Sequence, residues 1–386
     1  MSWSTVRADQ FCTLITDGTH DSPKPQQSGW KLITSKHLKG HYIDFDSANW
    51  ISEADYLKVI SRSAVEQWDI LFSMIGTIGN IYLEKNSHVE YACKNMGIFK
   101  FSGNKENALW MYYYLKSPQA KAYIQTHLRG STQAYVPLGG LREMPVPVPP
   151  QSVRNEIIAV LRPIDEKIEC NNAINDNLQQ QASALFSSFY DRSNTEVRYT
   201  DLIQILGGGT PKTGENTYWN GNIAFFTPKD VGTPYTLITE KTITEEGLSH
   251  CNSRLYPVNT VFVTARGTVG KVGMPGVPMA MNQSCYALVG KETHQLLVYF
   301  YTLKAVDRLK HKASGAVFDA ITTRDFESEQ IMKLSDDDAK AFLCIAEPMF
   351  QKVLNNCIEN LRLSTLRDSL LPKLMSGEVD VSAVKL

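Results

Sequence analysis

The chain is written twice, and that constrains its folding more than any other feature it has. Gly76-Thr77-Ile78-Gly79 returns 191 residues later as Gly267-Thr268-Val269-Gly270. Each follows a strand-like apolar run, Asp69–Ser73 in one copy and Thr260–Thr264 in the other. Gly18-Thr19 returns as Gly209-Thr210 at the same offset, each with a proline and a lysine close behind. Thr34-Ser35-Lys36 matches Thr227-Pro228-Lys229 at offset 193, and Gly130 and Pro163 match Gly315 and Pro348 at offset 185. Any one of these matches is weak. Five in the same order, with an offset that drifts as small deletions would make it drift, describe a tandem duplication of about 190 residues.

Each copy has two compositional parts. The first is rich in Gly, Thr, Pro, Tyr and Trp, with short β-like runs such as Leu32-Ile33-Thr34, Gly79–Leu83 and Ala224–Thr227. One helical stretch interrupts it, about 108–128 and then 294–312. After Pro145–Pro150, expected to be a stiff connector, the period becomes helical. Val153, Ile157, Val160, Ile164, Lys167, Asn171, Ile174, Leu178, Gln181, Leu185 and Ser188 occupy strict a and d heptad positions. Pro163 suits the first turn of a helix, which predicts a short helix (152–161) and a long one (163–190) of roughly 40 Å. The second copy repeats the plan after Pro348, with Met349, Phe350, Val353, Leu354, Cys357, Ile358, Leu361, Leu366, Leu370 and Leu374.

Two such amphipathic helices in one chain are expected to pair, with Asn171, Asn172, Asn355 and Asn356 as candidate register pins. The alternative is that each merely packs on its own domain. The reading is an α/β chain of two globular modules (1–150 and 195–334) separated by two helical spacers (151–194 and 335–386). Ile164, Ile168, Leu178, Leu185, Val353, Leu361 and Leu370 are the candidate partner-facing positions.

Charge and composition exclude more than they assign. With 39 basic and 40 acidic side chains the net charge is -1, unlike a freestanding nucleic-acid binder. Hydrophobic residues at 43% and charged residues at 20% are ordinary for a globular protein and exclude wholesale disorder. No apolar run approaches a membrane span, and no signal peptide is visible at the N-terminus. Seven scattered cysteines without a C-x-x-C pair point to reduced thiols and a cytoplasmic setting.

Catalytic signatures are missing. There is no G-x-G-x-x-G, and the loop Gly209–Gly214 is followed by Glu215-Asn216 where a P-loop needs Lys and Ser or Thr. His37 and His41 are four apart with Gly40 between them, which makes a metal-binding helix not credible. There is no G-x-S-x-G nucleophile elbow, and no Asn/Asp/Ser-Pro-Pro-aromatic element of the kind amino-methyltransferases use. No catalytic residue and no metal ligand is assigned; the chain reads as a binding protein.

What it binds is suggested by the repeated loops. Thr19, His20 and Lys24 in the first copy, and Thr210 and Lys212 in the second, combine amides, hydroxyls and a lysine suited to phosphate. Ser35, Lys36 and Thr77, with Lys229 and Thr268 as counterparts, extend the set. Arg266 precedes the second G-T-x-G loop where Ile75 stands in the first, and arginine is the commonest reader of guanine. Ser131, Thr132, Gln133 and Arg324 complete the candidate DNA-contact residues. The alternative is that the glycines only permit tight turns.

The residues resemble the specificity (S) subunit of type I restriction–modification systems over essentially the whole length. Asp17–Pro25 with Ile33–Lys36 looks like the opening of a first target-recognition domain. Gly208–Lys212, Tyr218–Gly221 and Phe226–Asp230 look like the opening of a second. Asp165–Glu169 resembles the family's central helical region, and Leu366–Val379 its C-terminal one. The resemblance implies two recognition domains that each read half of a split double-stranded DNA target, and two helices packed antiparallel as an antiparallel coiled coil. It implies two modification subunits that bring S-adenosylmethionine and methylate an adenine in each half. Restriction (translocase) subunits, when bound, use ATP and Mg. The chain itself would hold no cofactor and do no chemistry.

One departure and one rival accompany that reading. The second copy has Gly315-Ala316-Val317-Phe318 where the first has Gly130-Ser131-Thr132-Gln133, so a DNA-contact role carries over less securely there. The rival is a duplicated scaffold binding protein or glycan partners through exposed aromatics such as Tyr218-Trp219 and Trp110–Tyr114.

Overall fold

In a computed structural model, residues 3–40, 42–232, 234–312 and 320–379 are described. The chain divides into two compact units, Met1–Glu169 with Leu363–Leu386, and Cys170–Arg362. Both boundaries fall inside long helices, so each unit combines a globular part with part of each helix.

The first unit holds a four-stranded antiparallel sheet in the order Leu14–Asp17, Met96–Lys100, Ile70–Ser73, Ile81–Leu83. Beside it lies a three-stranded sheet, Asn49–Ile51, Trp30–Ile33 and Tyr91–Cys93, the last pair parallel. The second unit repeats both. Its larger sheet runs Ile203–Gly207, Cys285–Gly290, Val261–Thr264, Val272–Pro275, with Tyr235–Thr236 added at the edge. Its smaller sheet is Lys241–Ile243, Trp219–Phe226 and Met279–Met281. The duplication is therefore structural, strand for strand but for the added Tyr235–Thr236.

Pro145–Val148 is not a bare connector. It forms a two-stranded antiparallel sheet with Ser4–Arg7, as Gln330–Lys333 does with Thr195–Arg198 in the second unit. A proline cannot donate to a ladder, but a strand paired on one side needs donors on that side only. The helical stretch at 108–128 is two helices, Lys105–Lys116 and Pro118–Thr126. Pro118 opens the second, and Ser117 caps it by accepting from the Ala120 amide. Trp110 and Tyr113 of the first are buried, so the aromatics of 110–114 belong to the core and offer no surface to a scaffold's partner.

The central helix runs unbroken from Gln151 to Tyr190, and the C-terminal helix from Asp336 to Ser376. The split at Pro163 and the start after Pro348 are both corrected. Each proline forfeits one ladder bond and strains one turn, at about 3 kcal/mol. Both prolines are exposed, so the freed carbonyls face water, while buried neighbours hold the turns on either side: Ile157 and Leu161 around one, Ala346 and Phe350 around the other.

Strict heptad spacing is corrected too. Lys167, Ile174, Gln181 and Ser188 are exposed, whereas Asp165, Asn171, Asn175, Ala182, Phe186 and Tyr190 are buried. The buried positions stray from a strict heptad because each helix must face both its partner helix and its own globular part. Ile157, Ile158, Leu161, Leu371 and Leu374 enter the core of the first unit; Phe186, Phe342, Phe350 and Val353 enter that of the second. Pairing and packing on the domain, posed as alternatives, both occur.

The two helices are antiparallel. Asn171 donates to Asn360 Oδ1 (2.9 Å) and to Glu359 (2.8 Å), and Asn356 donates to Asn175 Oδ1 (2.8 Å). Asn171 and Asn356 are the buried pins expected; Asn355 is exposed, and Asn175 takes its place. Asn172 accepts from Asn360 at 2.8 Å. Of the candidate partner-facing positions, Val353 is fully buried, and Ile164, Ile168, Leu178, Leu185, Leu361 and Leu370 are half-buried.

Candidate nucleic-acid interface

In the first unit the loop after Leu14–Asp17 is pinned to the turn between strands Tyr91–Cys93 and Met96–Lys100. The Gly18 and Thr19 amides donate to the carbonyls of Met96 and Cys93 (both 2.9 Å), and the Asn95 amide returns a bond to the Thr19 carbonyl (3.1 Å). A methyl group on Gly18 would meet the Cys93 carbonyl oxygen at 2.3 Å, so only glycine permits this approach. His20, exposed, is held between Asp17 (Nε2 to Oδ2, 2.8 Å) and Asn95 (Nδ1 to Oδ1, 2.8 Å). Arg62, on the helix Glu53–Ser63, donates to the carbonyls of Asp17 (3.2 Å) and Gly18 (2.9 Å). The resulting polar groove, about 790 Å³, is lined by Thr19, His20, Ser22, Lys24, Lys58 and Arg62.

The other predicted residues gather nearby through backbone contacts. Ser35 and Lys36 lie on a single helical turn, Ser35–His37, closed by the Thr34 amide donating to His37 Nδ1 (2.9 Å). Burial holds the His37 imidazole below its ordinary range, in keeping with a neutral acceptor ring. Thr77 reaches back to the Ser35 carbonyl (3.3 Å). Ile75 bridges Tyr135, which bridges Arg129, so the exposed Ser131, Thr132 and Gln133 stand beside the G-T-x-G loop.

The second unit builds the same corner. Thr268 reaches the Pro228 carbonyl (3.2 Å), as Thr77 reaches Ser35. The Asn282 amide bonds the Phe226 carbonyl (2.9 Å), as Lys94 bonds Ile33 (2.9 Å). The Thr210 hydroxyl bonds the side chain of Gln283, where His20 meets Asn95 in the first unit. Lys229, Lys241, Arg266 and Asn282 line a cavity of about 330 Å³. Lys229 has Glu240 at 3.6 Å; Lys212, Arg266 and Thr268 are exposed. Arg266 bridges Ala320, which brings in the exposed Arg324 on the short helix Thr323–Ser328. Gly315–Phe318 lie outside the described residues.

Lys94, Asn95, Arg62, Asn282 and Gln283 were missed. Asn95 meets His20 across 75 residues of chain, and no linear motif marks it. The available signal was the matching position of Lys94-Asn95 and Asn282-Gln283 before each second long strand, where the residue types differ between copies.

Scaffold contacts repeat while exposed side chains change, which is what two readers of different sequences need. Profile comparison gives the family. The profile described as Type I restriction modification DNA specificity domain matches residues 3–180 and again 192–333. The chain belongs to that specificity family. A relative from Haemophilus influenzae, the type I restriction enzyme HindI specificity subunit, is 22% identical over 85% of this chain and 90% of its own. The MjaIX specificity subunit of Methanocaldococcus jannaschii is 32% identical over 31% of this chain and 29% of its own. The fold matches the crystal structure of a type I restriction–modification S subunit from M. genitalium, with TM-score 0.56 at 14% identity, covering 97% of this chain and 96% of that one. As a specificity subunit of this family, the chain serves DNA recognition, and the scaffold alternative loses its support. Among the described residues no helix is long and apolar enough to cross a membrane, and no group of three or more His, Cys, Asp or Glu is placed to hold a metal.

Proposed function

We propose that this chain is the non-catalytic aiming subunit of a cytoplasmic type I assembly, with each unit reading half of a bipartite double-stranded target. The observation that carries this is the repeated corner: Thr77 on Ser35 and Thr268 on Pro228 are the same scaffold bond, carrying Ile75, Lys94 and Asn95 in one unit and Arg266, Asn282 and Gln283 in the other. Thr19, Lys24, Ser35, Lys36, Thr77, Thr210, Lys212, Lys229 and Thr268 grip phosphates. His20, Gln133, Arg266 and Arg324, with Ser131 and Thr132, face the bases.

The helix pair sets the spacer and, through Ile164, Ile168, Leu178, Leu185, Leu361 and Leu370 with Val353 beneath, supports docking of two adenine methyltransferase subunits. Those subunits carry S-adenosylmethionine; restriction subunits, when bound, carry ATP and Mg. A net charge of -1 is consistent with partners completing the DNA clamp.

The test is co-expression with the neighbouring modification subunit and mapping of N6-methyladenine across the host genome. A two-part motif with a fixed spacer, methylated once on each strand, is expected, and exchanging residues 1–150 should change one half of it only. A stable complex that methylates no new site, or binding of S-adenosylmethionine by the isolated chain, would overturn the reading.

A further inference from the structure

The asparagines of the helix pair set where the helices meet but not which helix meets which. The offset of 185 that carries Pro163 to Pro348 also carries Asn171 to Asn356 and Asn175 to Asn360. The Asn171–Asn360 bond (2.9 Å) and the Asn356–Asn175 bond (2.8 Å) are therefore copies of one another. Two central helices set antiparallel, or two C-terminal helices, could make the same bonds. These two bonds pin register and are blind to identity, although the contacts beside them, Asn171 to Glu359 and Asn360 to Asn172, fall on Ile174 and Cys357 in the other copy and are not duplicated.

Nearby, the duplication breaks. The same offset carries Asp165 to Phe350 and Ala182 to Arg367. In the first unit the layer is ionic: Arg367 donates to Asp165 Oδ1 at 2.7 Å, and Lys116 Nζ lies 3.3 Å from Asp165 Oδ2. All three side chains are largely buried, with 11% of Asp165, 17% of Arg367 and 23% of Lys116 exposed. In the second unit the corresponding layer is apolar. Phe350 and Ala182 are buried in one cluster, with the Phe300 ring 5.6 Å from that of Phe350.

We infer that Asp165 and Arg367, with Lys116, decide which helix pairs with which. Union of the first-copy helix with the second-copy helix yields one ionic layer and one apolar layer, each complete. Union of like helices sets Asp165 against an alanine in one assembly and Arg367 against a phenylalanine in the other. Breaking the pair leaves Asp165 with Lys116 alone and Arg367 with only the exposed Asp368 (2.8 Å) beside it, and a buried charge that loses its main partner costs far more than a layer that never held one. The surface that receives residues 363–376 thus accepts the second copy's helix and rejects another first-copy helix, so two dissimilar modules stay in one assembly. The inference goes beyond DNA reading and does not depend on it.

The test uses two differently tagged full-length chains, one carrying Asp165→Arg and the other Arg367→Asp. Each alone sets like charges in its own layer and should melt well below the unsubstituted chain. Exchange of helices between the two restores an acid and a base to both layers. Co-expression should therefore give a heterodimer captured through both tags, with twice the single-chain mass by light scattering. Co-expressed unsubstituted chains should give none. The double variant Asp165→Arg/Arg367→Asp in one chain should recover part of the lost melting temperature at the mass of the unsubstituted chain, the remainder being withheld by Lys116 beside the new arginine and Asp368 beside the new aspartate. A double variant that melts with the single ones overturns the inference. So does the absence of a heterodimer from the mixed variants, or equal capture from unsubstituted chains.

Discussion

Asn356 donates a 2.8 Å hydrogen bond to Asn175, deep between the two long helices, with 1% and 5% of these residues exposed. Its duplicate is the Asn171–Asn360 bond, so the helix pair carries an internal two-fold relation in its polar contacts.

Replacing Asn175 alone with leucine leaves the Asn356 amide buried without its acceptor, at about 1–3 kcal/mol. Replacing both, Asn175→Leu with Asn356→Leu, removes donor and acceptor together and should recover most of that loss. Urea unfolding of the two single variants and the double one gives the coupling directly; additive losses would refute it.

Burial pulls the Lys116 ammonium down from its ordinary 10.5 to about 8, against the opposing pull of Asp165. Between those values the unfolded chain holds a proton that the folded chain has lost. Unfolding free energy therefore rises with pH across this window, relative to a Lys116→Met variant. Paired unfolding curves at pH 7.5, 8.5 and 9.5 should show the difference moving steadily in favour of the unsubstituted chain. A constant difference would show that Lys116 does not titrate there.

Gly18→Ala places a methyl group 2.3 Å from the Cys93 carbonyl oxygen. The loop must then retreat, at roughly 1–3 kcal/mol, and Thr19 and His20 retreat with it. Reduced stability together with loss of methylation of one half-site is expected. Unchanged methylation would separate this loop from DNA reading.

Lys24→Ala or Lys36→Ala should weaken DNA binding of the assembled complex evenly across sequences and lower its salt slope by about one unit. Arg266→Ala should instead cost about 1–3 kcal/mol at one base pair and relax preference there. Binding measured at several salt concentrations on a panel of single-base target variants distinguishes the two. Equal effects on every sequence from Arg266→Ala would remove it from base reading.

Cys170 and Cys344 are exposed, whereas Cys12, Cys93 and Cys285 are buried, and burial raises the Cys285 thiol to about 12. A disulfide reagent should modify the first two quickly in the native chain and the last three only after unfolding. Rapid modification of Cys93 would contradict the packing of the smaller sheet.

The duplication, the two globular parts and the two amphipathic helices could all be read from the sequence, because each is written in local spacing. Gly18-Thr19 and Gly209-Thr210 marked loops that pass close to a neighbouring stretch of backbone, since such an approach admits little but glycine. The helix ends could not be read that way. Pro163 signals a break by its own chemistry, and only the burial of Ile157, Leu161 and Asp165 around it overrides that signal. Strict heptads likewise counted Ile174 and missed Asn175, because periodicity assumes one buried face and these helices have two.

What the sequence determined alone was a repeated plan and the family to which it belongs. What only the tertiary structure decided was which distant residues meet: Asn95 with His20, Gln283 with Thr210, Arg367 with Asp165 and Lys116. Local propensity acts through neighbours three or four residues apart, whereas these contacts join positions from 49 to 202 residues apart, and only the packing of sheets and helices brings such positions together.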